Sequence, residues 1–205
     1  MKLGVQGREA RRKQLIDVAI KVFAKKGYNA ASVNDIIAGA GVARGTFYLH
    51  FSGKKDIFVA VLEDYRMELE FMVKVYMKHT GKMTVENCRE WLREEVRTWL
   101  EFLAEHREAT KILLHESGGI DGVFERKRNE ARGMMRRHLT RKFRRMQKAG
   151  MIRGDVSPET LSLFEMGMLD EVVATQILPH KNPDVERLVE QWAEFEWRGV
   201  RRVGS

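Results

Sequence analysis

Cysteine, proline and long apolar runs are nearly missing from this chain of 205 residues, which has one cysteine and three prolines. With Cys88 alone, an internal disulfide and any zinc site built from several thiolates are excluded. The six histidines are scattered (His50, His79, His106, His115, His138, His180). No two of them stand four residues apart around a glutamate, as a helical zinc site requires, so no metal set is expected. No serine sits in a nucleophile elbow and Cys88 has no activating neighbour, so no catalytic constellation is present and no cofactor is implied. The pair Gly118-Gly119 follows no strand and precedes no Gly-Lys-Ser/Thr, which excludes a phosphate loop. No stretch is apolar for long enough to span a bilayer, and the start lacks the apolar core of a signal peptide. The expectation is a cytoplasmic protein without a membrane partner.

Lysine and arginine are abundant, giving a net charge of +8, and their distribution is uneven. Residues 1–60 carry a net +7, residues 61–119 a net −3, residues 120–150 a net +8 and residues 151–205 a net −4. Hydrophobic residues make up 43% and recur with a period near 3.6, so the fold class expected is all-α.

The most informative stretch is residues 32–51, SVNDIIAGAGVARGTFYLHF. Ser32 and Asp35 have the spacing of a capping box, and Val33, Ile36 and Ile37 give the first helix its buried face. Gly41 suits the left-handed residue that ends it. A second helix starts near Ala43 with few apolar residues but with Arg44, Gly45, Thr46, Tyr48 and His50. Two short helices around a tight turn, the second polar and basic, form a helix-turn-helix whose second helix fits a DNA major groove. The plainer alternative is a helical hairpin in a core. A basic segment beside the motif is the charge pattern that phosphate neutralisation requires.

The N-terminal nine residues have no apolar period and read as an arm, either frayed or tracking a phosphate backbone through Lys2, Arg8, Arg11, Arg12 and Lys13. A helix is expected from Arg8 to Lys26, and a longer one from Lys54 to about His79. Lys54 and Lys55 occupy the first turn of the latter, where a cation opposes the helix dipole unless a phosphate docks there. The small three-helix unit needs further packing from the remainder of the chain.

Residues 8–62 resemble the N-terminal domain of the TetR-type bacterial transcriptional regulators, through LIDVAIKVFAKKGY, SVNDIIAGAGVARGTFYLHF and GKKDIF. The resemblance implies a homodimeric repressor with a DNA-binding domain over residues 1–52, extended by the start of the next helix. Residues 53–205 would bind a small effector and dimerise. It also implies phosphate contacts from Ser32, Tyr48, His50 and Lys54, and groove contacts from Arg44, Gly45, Thr46 and Leu49. Ala43 stands where the family often has serine, which removes one cap or phosphate-facing hydroxyl. Gly53 and Lys55 also depart from the pattern.

Beyond residue 80, Leu92, Val96, Trp99 and Leu103 share one helix face, and a break is expected at residues 105–108. The basic stretch 120–149 is either a solvated face paired with acidic segments or a second nucleic-acid surface. A helix from Pro158 to Leu178 is apolar nearly all round, so one side meets the core and another a subunit interface. A last helix from Pro183 to about Arg201 carries Trp192 and Phe195, aromatic types found at interface centres. The candidate interface is Phe164, Met168, Val172, Trp192, Phe195 and Gly199. The candidate pocket is Trp99, Leu103, His106, His115, Met135, His138, Leu139, Glu165, Met166 and Leu169, a methionine-rich and aromatic lining for a largely apolar ligand or equally a plain core. Glu165 and Asp170, on that apolar helix, need partners or a cationic effector. The rival readings are an activator or an effector-independent regulator and, from another class, a helical enzyme or structural protein with an incidental helix-turn-helix.

Overall fold

Helical periodicity with few prolines becomes, among the described residues, nine α-helices and two short π-helical turns in the computed structural model, which describes residues 2–79, 83–84, 86–116 and 121–202. The side chains of residues 2–6, 77–79 and 115–116 lie outside that description, and with them that of His115. The chain forms two compact units, residues 1–69 with 108–130 and residues 70–107 with 131–205. The expected boundary after residue 52 does not coincide with this division, because two long helices each begin in the first unit and end in the second.

The first unit contains α1 (Lys2–Ala30), α2 (Val33–Ala40), α3 (Arg44–Tyr48) and the start of α4 (Lys54–His79). It also takes most of α6 (Arg107–Lys111), the π turn Ile112–Glu116 and the first residues of α7 (Gly122–Lys148). α1 begins at Lys2 rather than Arg8, so the expected arm is helical. A helix already nucleated extends at one hydrogen bond per residue even where the sequence lacks an apolar period. At Gly27 the backbone leaves the helix (φ 74°, ψ 162°) before a last turn to Ala30. Leu15, Ile16, Ala19 and Phe23 of α1 are buried with Ile36, Phe47 and Phe51. The packing that so small a group needs comes from α4 and α7. Phe58 meets Phe23 edge-on at 4.9 Å between centroids and Phe124 at 4.4 Å. Such aromatic contacts each add about 0.5–1.5 kcal/mol beyond area burial.

The second unit holds the end of α4, α5 (Cys88–Glu105), most of α7, α8 (Pro158–Val172), the π turn Val173–Ile177 and α9 (Val185–Val200). The break expected at residues 105–108 falls at His106, which leaves helical geometry (φ −97°, ψ 28°). α8 is capped by Ser157, which accepts from the Thr160 N–H at 3.1 Å, with Pro158 in its first turn. α9 starts at Val185 instead of Pro183, because the Asp184 carboxylate accepts from the Arg187 N–H and caps the helix. Tyr76, Cys88, Leu92, Phe143, Met146, Ile152 and Val200 form one buried cluster. The mixed-charge face of α5 pairs with α9: Arg89 with Glu194 at 2.6 Å, Arg97 with Glu186 at 2.6 Å, and Arg93 with Glu190. Exposed pairs of this kind fix register more than they stabilise. Among the described residues no helix is long and apolar enough to cross a membrane, and no group of three or more His, Cys, Asp or Glu is placed to hold a metal ion.

The cap of α2 is the local feature most easily tested. Ser32→Ala removes its side-chain half and is expected to lower unfolding free energy by about 1 kcal/mol in denaturant titrations.

Candidate nucleic-acid interface and buried cavity

α2 forms because Ser32 accepts from the Asp35 N–H at 3.2 Å while the Asp35 carboxylate accepts from the Ser32 N–H at 2.9 Å, the expected capping box. Lys26 donates to Asp35 at 2.6 Å and, with these Ser32 bonds, holds its carboxyl down at about 2. Gly41 ends the helix in the left-handed region (φ 62°) and donates to the Ala38 and Ile37 carbonyls. Gly39 lets α2 lie close on α1, since a Cβ there would stand 2.8 Å from Val18 Cγ1. α3 follows with Ala43 as a cap that makes no side-chain hydrogen bond, the deficit its sequence implied.

α3 is anchored by Phe47, fully buried, while Arg44, Gly45, Tyr48 and Leu49 are exposed and Thr46 is half-buried. Leu49 is 71% exposed, unusual for a leucine in a packed motif. A Cβ at Gly45 would meet nothing within 4 Å, so no internal packing demands glycine there. The Arg44 guanidinium lies 5.6 Å from the Tyr48 ring centroid, a cation–π contact that orients it. α1 brings more charge to the end of α3: Arg8 donates to the Leu49 carbonyl at 3.4 Å and Arg12 lies 5.1 Å over the Phe51 ring. His50 sits beside them. Burial first, then repulsion from Arg8, Arg12 and Arg11, lowers its pKa from the ordinary value.

Three expected phosphate ligands are engaged elsewhere. Lys54 places its ammonium on the carbonyls of Tyr28, Asn29 and Ala31 at 2.8, 3.2 and 2.9 Å, and over the Tyr28 ring at 4.5 Å. Its three N–H groups are thereby used, and its charge complements the negative end of α1, which offsets its place at the positive end of α4. The Ser32 hydroxyl hydrogen goes to Asp35 at 2.9 Å, which leaves no donor for a phosphate. Lys13 is held by Asp64 at 2.7 Å and Glu68 at 3.0 Å.

In the second unit a cavity is lined by Val96, Trp99, Leu100, Met135, Leu139, Glu165, Leu169 and Trp192. It brings together five residues named from the sequence: Trp99, Met135, Leu139, Glu165 and Leu169. Leu103 and Met166 are buried but off its wall. His106 instead bonds the Phe102 carbonyl at 2.9 Å through Nδ1 and stacks on that ring, and His138 bonds Glu95 at 3.2 Å. Trp192, expected at a subunit interface, faces this cavity, because the buried stripe of α9 runs through Val189, Trp192, Ala193, Glu196 and Val200. Val96, Leu100 and Trp192 complete the lining; helical spacing puts Val96 on a buried face without distinguishing a cavity wall, and Leu100 is not singled out by the sequence. The cavity has room for about one water, ≈ 10 Å³. Phe164 and Phe195 are 61% and 67% exposed, Met168 and Val172 half-buried, and Gly199 exposed.

Beside the cavity lies a buried ionic cluster. Lys142 reaches Glu165 and Glu95 at 2.8 Å and Glu196 at 3.2 Å. Three buried carboxylates thus share one ammonium. Burial works against the charge of Lys142, but Glu165, Glu196 and Glu95 outweigh it and hold its pKa well above the usual range. Burial, with repulsion from Glu196, pushes Glu165 well up, and burial also raises Glu196. Burial opposes the charge of Glu95 too, yet Lys142 and His138 hold it low. Asp170, the other acid of α8, takes a two-armed pair from Arg132 at 2.8 and 2.7 Å. Much of the basic stretch is paired in this way, with Lys127 on Glu63 and Glu130 and Arg144 on Glu159.

Residues 15–61 match the family model described as "Bacterial regulatory proteins, tetR family". The HTH-type transcriptional activator FasR of Mycolicibacterium smegmatis is 31% identical over 58% of this chain and 47% of its own length. The chain therefore spans about half the length of that curated relative. The fold matches the fatty acid degradation regulator FadR from Bacillus halodurans with a TM-score of 0.79 at 24% identity, over 94% of this chain and 97% of that one. It also matches FadR from Bacillus subtilis, solved in complex with stearoyl-CoA, with a TM-score of 0.75 at 25% identity, over 92% and 99%.

Two substitutions test the buried cations. Lys54→Met loses charge-assisted bonds to three carbonyls and is expected to cost about 1.5–3 kcal/mol of stability. Lys142→Met leaves three buried carboxylates without their cation, at about 3–5 kcal/mol. Burial alone then raises their folded-state pKa values, so its deficit should shrink as pH falls and grow as pH rises from about 5. Urea melts across pH check both, and a Lys142→Met variant as stable as the parent contradicts the assignment.

Proposed function

We propose that this chain, whose residues 15–61 match the tetR family model, is a TetR-type regulator: a cytoplasmic, homodimeric DNA-binding repressor and not an enzyme. The observation that carries this reading is the exposed face of α3. Arg44, Gly45, Tyr48 and Leu49 lie open there, and Arg8 and Arg12 stand beside its end. Arg44 is suited to the O6 and N7 of guanine, and Thr46 and Leu49 to apolar contact with a thymine methyl. Gly45 lets the helix backbone approach the groove floor. Tyr48, His50, Arg8 and Arg12 take the phosphates, while Ser32 and Lys54 act by fixing the motif.

In the second unit, Phe164, Phe195, Met168, Val172 and Gly199 are offered as the subunit interface, since aromatic residues this exposed are costly to leave in water. Two subunits would set their α3 helices in successive major grooves about 34 Å apart on a near-palindromic operator. A small, largely apolar effector entering the cavity would part α5, α7, α8 and α9, and so favour a state with lower operator affinity. The named activator among the relatives supports activation as a second reading. Transcription in vitro from a promoter carrying the site separates the two by the sign of the effect.

A gel shift on the upstream region of its own operon is the direct test. Arg44→Ala should lose about 1–3 kcal/mol of binding, and Gly45→Ala should weaken binding without changing the melting transition. A phosphate beside His50 raises the pKa that its surroundings depress, so binding takes up a proton and strengthens as pH falls from about 8 to about 6. His50→Gln should flatten that slope. Undiminished binding by Arg44→Ala and Gly45→Ala would put the DNA on another surface.

A further inference from the structure

The basic stretch of α7 divides into two halves that the fold treats differently. Towards the start of the helix the cations are taken by acids: Lys127 by Glu63 and Glu130, and Arg132 by Asp170 through two bonds. Towards its end Arg137, Arg141, Arg145 and Lys148 are exposed, and among the described residues none of them reaches a carboxylate. Their spacing of four, four and three residues puts them in one stripe, opposite the face that buries Leu139, Lys142, Phe143 and Met146. At a rise of about 1.5 Å per residue the stripe is about 16 Å long, with a charge about every 6 Å. Past the helix end Arg202 adds a further guanidinium, 3.7 Å from where a Cβ on Gly150 would stand. Arg145 and Lys148 complement the negative end of the helix dipole, but Arg141 and Arg137 stand about two and three turns further in, beyond its reach. Like charges one turn apart repel, so the helix itself gains nothing from the inner pair.

We propose that this stripe is a second, sequence-independent seat for duplex DNA, in which Arg137, Arg141, Arg145 and Lys148 neutralise phosphates of the backbone. A guanidinium offers paired N–H donors to two phosphate oxygens, and three of the four cations are arginines. The stripe lies on the outer side of a single helix and forms no groove that could read the side chains of an acidic peptide. Its apolar member, Met134, is half-buried, which is too little to anchor a bilayer. Linear charge density is what remains to be recognised, and duplex DNA presents one charge per about 1.7 Å. The choice of DNA rests on reading the chain as a DNA-binding regulator. A bound operator raises the local concentration of duplex around the protein, and a seat too weak to fill alone is then filled. The stripe reaches no base edge, so α3 chooses the site and the stripe adds affinity that salt removes.

The test is fluorescence anisotropy on the full chain with an end-labelled duplex of random sequence, repeated across salt concentrations. A motif variant combines Arg8→Gln, Arg12→Gln and Arg44→Ala. A stripe variant combines Arg137→Gln, Arg141→Gln, Arg145→Gln and Lys148→Gln, and a third chain has both sets. Glutamine is a good helix former, and circular dichroism checks that each chain folds. The motif variant should still bind the duplex. With about four phosphates neutralised, its affinity should fall about a hundredfold between about 50 and about 200 mM salt. Adding the stripe substitutions should abolish that binding, whereas Arg137→Lys, Arg141→Lys and Arg145→Lys in their place should keep most of it. Loss of all duplex binding in the motif variant, or binding unchanged when the stripe substitutions are added, would overturn the proposal. Displacement of the duplex by polyglutamate or phosphatidylglycerol vesicles at equal charge concentration would also overturn it, by showing another occupant. The proposed role of α3 fails separately: sequence selection retained by the motif variant removes that role and leaves the stripe's binding of random duplex standing.

Discussion

The ammonium of Lys54 on the carbonyls of Tyr28, Asn29 and Ala31 is the constraint on which the motif depends. Gly27 turns α1 out of helical geometry and leaves carbonyls near its end without helical partners. One cation at the start of α4 satisfies three of them and complements the dipole of α1. Because Ala31 immediately precedes the α2 cap, the same contact sets where α2 begins. The lysine in an apparently unfavourable first turn is therefore explained by the folded chain alone.

Local signals in the sequence are enough for the helix-turn-helix. The Ser32–Asp35 box, the left-handed Gly41 and the uncapped Ala43 all act within four residues, so spacing alone reveals them. The partners of Lys54, Lys13 and the α5 arginines cannot be read in this way. A long cation finds its acceptor across 26 to 105 positions, and the sequence supplies the charge without the fold's choice of acceptor. The family resemblance gives Ser32 and Lys54 to phosphate, whereas their hydrogens are used inside the protein.

The second unit shows the same limit differently. A helical stripe marks Trp99, Met135, Leu139 and Leu169 as inward-facing, and the same stripe serves a filled core and a cavity wall. Trp192 lies inside rather than at an interface because an aromatic residue on the last helix suits either place, and only its phase relative to Val189, Ala193 and Glu196 decides. Glu165 is visible in the sequence as an acid on an apolar helix. Its neighbours Glu95 and Glu196 are not, since each lies on a helix with many other glutamates. Their convergence on Lys142 makes the unit's interior both apolar and short of positive charge.

On the function proposed, the open face of α3 reads DNA as one half of a two-fold pair. Selection of bound duplexes from a random-sequence pool by the full chain, followed by sequencing, tests this without assuming any operator. Enrichment of an inverted repeat is expected, with half-site centres about one helical turn apart, and it should be lost when the pool is selected with Arg44→Ala. A pool without enrichment, or the same repeat recovered by Arg44→Ala, would show that α3 does not read the DNA in this way.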